Sequence, residues 1–164
     1  MDAPDHLQAG SADPGARPGA SACGGCDERP HALLLKGIEE FNNGRYWECH
    51  ETLELLWRAE SRPVRDLYQG ILQVGVGFHH LRSGNYAGAV KVLRRGLARL
   101  AGMPEVCQGV RVAELQEAAR STYERILELG PDRVGEFDVN SLPRVRIDPA
   151  DDEAVHPSTV ARGP

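Results

Sequence analysis

This 164-residue chain has no long hydrophobic run. Its longest stretch free of Asp, Glu, Lys and Arg, residues 67 to 81, is 15 residues long, short of the about 20 apolar residues that span a bilayer. A membrane-spanning helix is therefore excluded. There is no excess of positive charge either: the formal net charge is −5, which gives no overall field to hold nucleic acid, and a nucleic-acid partner is not expected. Also absent are a Gly-x-Ser-x-Gly elbow and a Walker-type phosphate loop, which removes the commonest nucleophile hydrolases and nucleotide phosphate sites. No segment alternates apolar and polar residues as a half-buried strand does. Cysteine is sparse, four in all, and a disulfide framework is not expected. Cys23 and Cys26 form one C-x-x-C, half of a tetrahedral zinc site, with His31 near enough to act as a third ligand. Cys49 falls in an expected helix and Cys107 in an expected loop.

What is present is a core-forming middle between two polar ends. Of the first 30 residues, 17 are Gly, Pro, Ala or Ser, and Leu7 is the sole large aliphatic residue among them. Such a stretch buries too little to offset its ordering entropy, so residues 1–30 read as a disordered tail. It lacks the basic start and apolar run of a secretory signal, which makes the cytoplasm the expected compartment. Residues 143–164, with four Pro and the acidic run Asp151, Asp152 and Glu153, read as a second loose tail. Residues 31–142 remain as one domain, nearly neutral in charge.

Helical spacing of apolar residues predicts helices near 31–42, 45–60, 64–82, 86–101 and 111–129, the last stopped by Gly130 and Pro131. The fold class is all-α, a compact bundle of about five helices. Phe41-Asn42-Asn43-Gly44-Arg45-Tyr46 aligns with Leu81-Arg82-Ser83-Gly84-Asn85-Tyr86 at an offset of 40, and Ile38, Cys49, Leu53 and Trp57 then align with Phe78, Ala89, Leu93 and Leu97. Two helical hairpins with glycine turns follow, plus a C-terminal helix. The turn distantly resembles that of tetratricopeptide repeats, although their period is 34 residues and an array normally needs three units.

In the third expected helix Leu67, Ile71, Val74, Phe78 and Leu81 share a stripe that Tyr68 and Leu72 widen, so it should lie at the centre. Gly70 and Gly77 leave one line of it open to a close neighbour. Gln69, Gln73 and His80 form a polar line, and His79 lies beside Leu72 and Gly75. The second helix places His50 at the edge of its apolar face, with Glu54 one turn beyond and Glu51 and Glu48 continuing round. Trp47 and Leu55 project from that polar side, which predicts that something covers part of it. Carboxylates and an imidazole under cover would repel and desolvate unless neutralised. Three readings stand, in descending weight: a structural network with Gln69, Gln73, His79 and His80; a divalent-metal site; and a catalytic or ligand-binding site without metal. His50-Glu51-x-x-Glu54 is not a zinc-protease motif, because Glu replaces the second His. Cys49 and His50 are not a dyad, because adjacent helical positions point about 100° apart.

Phe41-Asn-x-Gly44-x-Tyr46-x-Glu48-x-His50-Glu51-x-Leu53-Glu54-x-x-Trp57, then Leu67-Tyr-Gln69-Gly70-Ile-Leu-Gln73, His79-His80 and Gly84-Asn85, resembles the bacterial and archaeal helical family known as domain of unknown function 309, over about residues 33 to 130. The resemblance implies a compact all-α fold, small cytoplasmic proteins and no established activity. Its shared polar positions correspond to Glu48, His50, Glu51, Glu54, Gln69 and one of His79 and His80.

Two functional readings follow. In the first, the second and third helices enclose a His/Glu site for a divalent metal such as zinc, with hydrolase-like chemistry. Glu51 or Glu54 would be the base, His50, Glu54, His79 and His80 the ligands, and Glu48, Gln69, Gln73 and Trp57 the support. In the second, the chain is a non-catalytic interaction module for a protein partner, a second copy or an anionic partner. Lys91, Arg94, Arg95 and Arg99, in a span from Leu67 to Pro104 without an acidic residue, would form its contact patch, although a solvated face explains them as well.

Overall fold

The structure is a computed structural model, and it describes residues 23–149. Five helices follow in order: α1 (Ala32–Asn42), α2 (Tyr46–Ala59), α3 (Arg65–Arg82), α4 (Tyr86–Ala101) and α5 (Val112–Arg133). Each packs chiefly on its sequence neighbours, so that α3 lies between α2 and α4. The periodicity expected from sequence is thus borne out, including the break at Gly130, where φ is 70° inside the last helix. The small addition is a hairpin of two-residue strands, β1 (Val106–Cys107) and β2 (Val110–Arg111). Those strands are too short for alternation to register.

The two glycine turns are the same structure twice. Gly44 and Gly84 have φ of 73° and 74°, left-handed values that cost a side chain but not glycine. Arg45 N–H donates to the Glu40 carbonyl at 2.8 Å and Asn85 N–H to the His80 carbonyl at 2.9 Å, satisfying the last helical carbonyls in the same way. Tyr46 packs back across its turn, edge-on to Phe41 at 5.3 Å and to Phe78 at 5.7 Å.

Helix α3 is buried through Leu67, Tyr68, Ile71, Leu72, Val74, Phe78 and Leu81, each large aliphatic or aromatic side chain contributing about 1.5–3 kcal/mol by leaving water. Its glycine line faces α4. A Cβ on Gly70 would lie 2.5 Å from Leu100 Cδ2, and one on Gly77 2.5 Å from Leu93 Cγ, so the close approach depends on hydrogen at both positions.

The folded region is longer than residues 31–142. Residues 23–30 strap onto the bundle: Cys26 is buried and disulfide-bonded to Cys107, Gln108 N–H donates to the Cys26 carbonyl at 2.7 Å, and Val64 N–H to Gly24 at 3.2 Å. Arg62 ties the strap down further through Glu28 and Glu60. At the other end Val145 is buried and held by Asn42, which donates from Nδ2 to its carbonyl at 2.9 Å and accepts its N–H at 2.8 Å. Asp148 N–H donates to the Gly109 carbonyl at 2.7 Å. A single disulfide thus stands where no disulfide framework is expected from the sequence, and residues 23–30 and 143–149, read from composition as tail, hold contacts to the bundle. Both rest on partners distant in sequence, which composition does not reveal. The remainder of each expected tail, residues 1–22 and 150–164, lies outside the described residues.

Candidate ligand cavity between helices α2, α3 and α4

A cavity of about 270 Å³ opens between three helices, lined by His50, Glu54 and Trp57 of α2, Gln69, Leu72, Gln73 and Val76 of α3, and Val92 of α4. The helical register explains the set. His50, Glu54 and Trp57 follow at intervals of four and three, as do Gln69, Gln73 and Val76, so each triplet rides one face. Leu72, Val76 and Val92 supply apolar wall.

Three of the lining residues each carry a buried polar atom that has no hydrogen-bond partner among the described residues: His50 Nδ1, Trp57 Nε1 and Gln73 Oε1. Such an atom left unmade costs about 1–3 kcal/mol, so three among the lining residues of one cavity require an explanation. They differ in kind. The indole N–H only donates, the amide oxygen only accepts, and the imidazole nitrogen does either according to tautomer. His50 Nε2 stands 3.9 Å from Glu54 Oε2, close enough for electrostatic interaction but too long for a hydrogen bond. The other Glu54 oxygen accepts from Arg58 Nη2 at 2.8 Å. The Arg65 guanidinium covers the Trp57 ring, 4.7 Å from its centroid, and Trp47 stacks on His50 with ring centroids 4.9 Å apart.

Of the expected site residues, His50, Glu54, Trp57, Gln69 and Gln73 meet on the cavity. Glu48 and Glu51 do not: both are exposed on the outer side of α2. His79 and His80 are absent from the lining as well. His79 lies beyond Trp47, its ring 6.0 Å away. His80 faces the second turn, where its Nδ1 is 3.3 Å from Asn85 Nδ2. Asn85 Oδ1 already accepts the Gly88 N–H at 3.0 Å, which turns the amide NH₂ toward His80 and makes the ring nitrogen the acceptor. Burial first, then His79, hold the His80 imidazole below its ordinary pKa, in keeping with a neutral ring. The cover expected over Trp47 and Leu55 is also missing among the described residues, the two side chains being 50% and 63% exposed.

Sequence reasoning missed a second buried polar pair. Thr52 donates to Glu40 Oε1 at 2.6 Å, both residues being buried, and Arg45 stands 4.0 Å from the other Glu40 oxygen. Burial first, and then Glu40, push the Cys49 thiol up to about 12, so it is not a nucleophile at neutral pH.

Residues 34–92 match the model of the domain of unknown function DUF309. The match is to this segment, 34–92, and covers under half of the chain. It includes all eight residues of the cavity lining and excludes the straps and the β hairpin. An uncharacterized protein of Aquifex aeolicus (strain VF5) is 24% identical over 89 residues, covering 54% of this chain and 27% of that protein. The uncharacterized protein YpuF of Bacillus subtilis (strain 168) is 33% identical over 100 residues, 59% of this chain and 58% of that protein. The matched regions thus span about a quarter and somewhat over half of these two relatives. The DUF309 match is similarity to a domain of unknown function and assigns no activity. No helix among the described residues is long and apolar enough to cross a membrane.

Proposed function

We propose that the DUF309 segment binds a small polar organic molecule in the cavity between α2, α3 and α4. The observation that carries this reading is that three residues lining one cavity, His50, Trp57 and Gln73, each hold a buried polar atom (Nδ1, Nε1 and Oε1) without a hydrogen-bond partner among the described residues. A ligand with at least one acceptor and one donor would satisfy them together, and Leu72, Val76 and Val92 would hold its apolar part. His50, with Glu54 near its far nitrogen, is the group able to move a proton to or from such a molecule.

This reading is favoured over the metal-centred hydrolase expected from the sequence by the chemistry of the donors. A metal ion gains nothing from an indole N–H, and among the described residues no three His, Asp or Glu ligand atoms converge at this cavity. His50, Glu54 and the Gln73 oxygen would be its ligands, with Glu51 outside. The interaction module retains Lys91, Arg94 and Arg95 as an exposed face, while Arg99 is engaged by Asp66 at 3.3 Å.

The indole N–H gives a direct test, because the chain has two tryptophans and of these Trp57 lines the cavity. A ¹⁵N-labelled chain is titrated with amino acids, hydroxy acids, nucleosides and polyols, and separately with Zn²⁺ and Mn²⁺. The reading expects the Trp57 indole resonance to shift in a saturable manner with one organic class and the midpoint of that titration to rise about 2- to 10-fold in Gln73→Met. Shifts produced by the cations alone, or by none of these classes, would reject it.

A further inference from the structure

The cysteine cluster lies apart from this cavity and from the DUF309 segment. Cys23 and Cys26 come from the N-terminal strap and Cys107 from β1, and their three sulfur atoms lie within 4.8 Å of one another. Cys26 and Cys107, 81 residues apart, are joined as a disulfide. A disulfide requires two thiols, and the third is brought to the same point by a glycine-dependent turn. Gly25 has φ of +101°, and a Cβ there would meet Val64 Cγ1 at 2.7 Å.

Gln108 clamps the two loops together without help from sulfur. Its backbone N–H donates to the Cys26 carbonyl at 2.7 Å, its Nε2 to the Gly25 carbonyl at 2.9 Å, and its Oε1 accepts from Tyr68 Oη at 3.1 Å. The backbone of the strap at Gly25 and Cys26 is therefore held beside Cys107 by hydrogen bonds as well as by the disulfide. His31, the third ligand expected from sequence, is used elsewhere: its Nδ1 caps α1 by accepting the Leu33 N–H at 2.9 Å.

We propose that Cys23, Cys26 and Cys107 are a three-thiolate site for a thiophilic divalent cation such as zinc, with water at the fourth corner, and that the disulfide is its oxidised, metal-free state. Three soft ligands and one open position suit a tetrahedral d¹⁰ ion. Passage between the states balances with a dithiol reductant, which gives two electrons and two protons to the Cys26–Cys107 bond and itself becomes a disulfide. The cation then displaces the thiol protons to solvent.

The test uses the full chain without a polyhistidine tag, reduced by a dithiol and held without oxygen, titrated with Co²⁺ and then Zn²⁺. One equivalent of Co²⁺ should bind with thiolate-to-cobalt charge-transfer absorption that Zn²⁺ abolishes. Cys23→Ser leaves the disulfide pair intact and should weaken binding by more than the about 10–100-fold typical of losing an outer-shell partner. His50→Ala should leave the titration unchanged, which separates this site from the cavity. Absence of thiolate absorption from the reduced chain, unchanged affinity in Cys23→Ser, or metal content that follows His50 would each overturn the proposal.

Discussion

Replacing Gln73 with Met separates a binding site from a structural polar network, because the two require opposite changes in stability. Gln73 Oε1 is a buried acceptor without a partner. Met keeps the length of the side chain and its suitability for a helix while removing both the acceptor and the amide. An unmade buried acceptor costs about 1–3 kcal/mol. Gln73 as a whole is only half-buried, so the lower figure applies and the empty protein should gain about 1 kcal/mol. For a domain of this size that raises Tm by about 4 °C. Reversible urea denaturation at unchanged m-value, together with calorimetry, measures the gain. Binding of the organic class identified through Trp57 should weaken about 2- to 10-fold, the value of one neutral hydrogen bond of about 0.5–1.5 kcal/mol. A loss of 1 kcal/mol or more in Gln73→Met would mean that the amide is satisfied within the fold, and the reading of these atoms as ligand contacts would fail.

Three other outcomes follow from the packing and the titratable groups. Gly77→Ala should destabilise by about 1–3 kcal/mol through the clash with Leu93, whereas Gly102→Ala, with open space around it, should fall within about 0.5 kcal/mol of wild type; parallel urea melts compare them. Because His80 has a depressed folded pKa, the unfolded chain takes up that proton first, so stability should be full above pH about 6.5 and decline as the pH falls below it. His80→Gln should flatten that part of the pH profile measured by thermal melting. Reduction of the Cys26–Cys107 bond without metal releases a loop of 81 residues and should lower stability by about 4.5 kcal/mol on the chain-entropy relation, measured as a fall in urea midpoint on adding a dithiol under metal-free conditions.

The bundle was legible because its signals are local. Gly44 and Gly84 end their helices as the paired motif implies, and the apolar stripe of α3 with its glycine line identifies both the central helix and the side on which a neighbour approaches. The cavity was half legible. His50 and Glu54 on α2, and Gln69 and Gln73 on α3, share faces that spacing alone reveals, and Trp57 joins them one turn along. Glu51 was harder to place, since it sits next to His50 in sequence yet about 100° away round the helix, and exposure decides the matter. Leu72, Val76 and Val92 carry no sign of being cavity wall, as core residues have the same pattern. The link from Cys26 to Cys107 and the clasp of Asn42 on Val145 were not legible at all. Each joins segments about 80 or more residues apart, and no local period records which loop a distant loop will meet.

The most direct measurement is a high-resolution crystal structure of the full chain as isolated from cells, inspected between α2, α3 and α4. A ligand-binding cavity predicts non-water density within hydrogen-bond distance of His50 Nδ1, Trp57 Nε1 and Gln73 Oε1. Ordinary waters alone on those three atoms, or side chains turned to bond one another across a closed space, would contradict it.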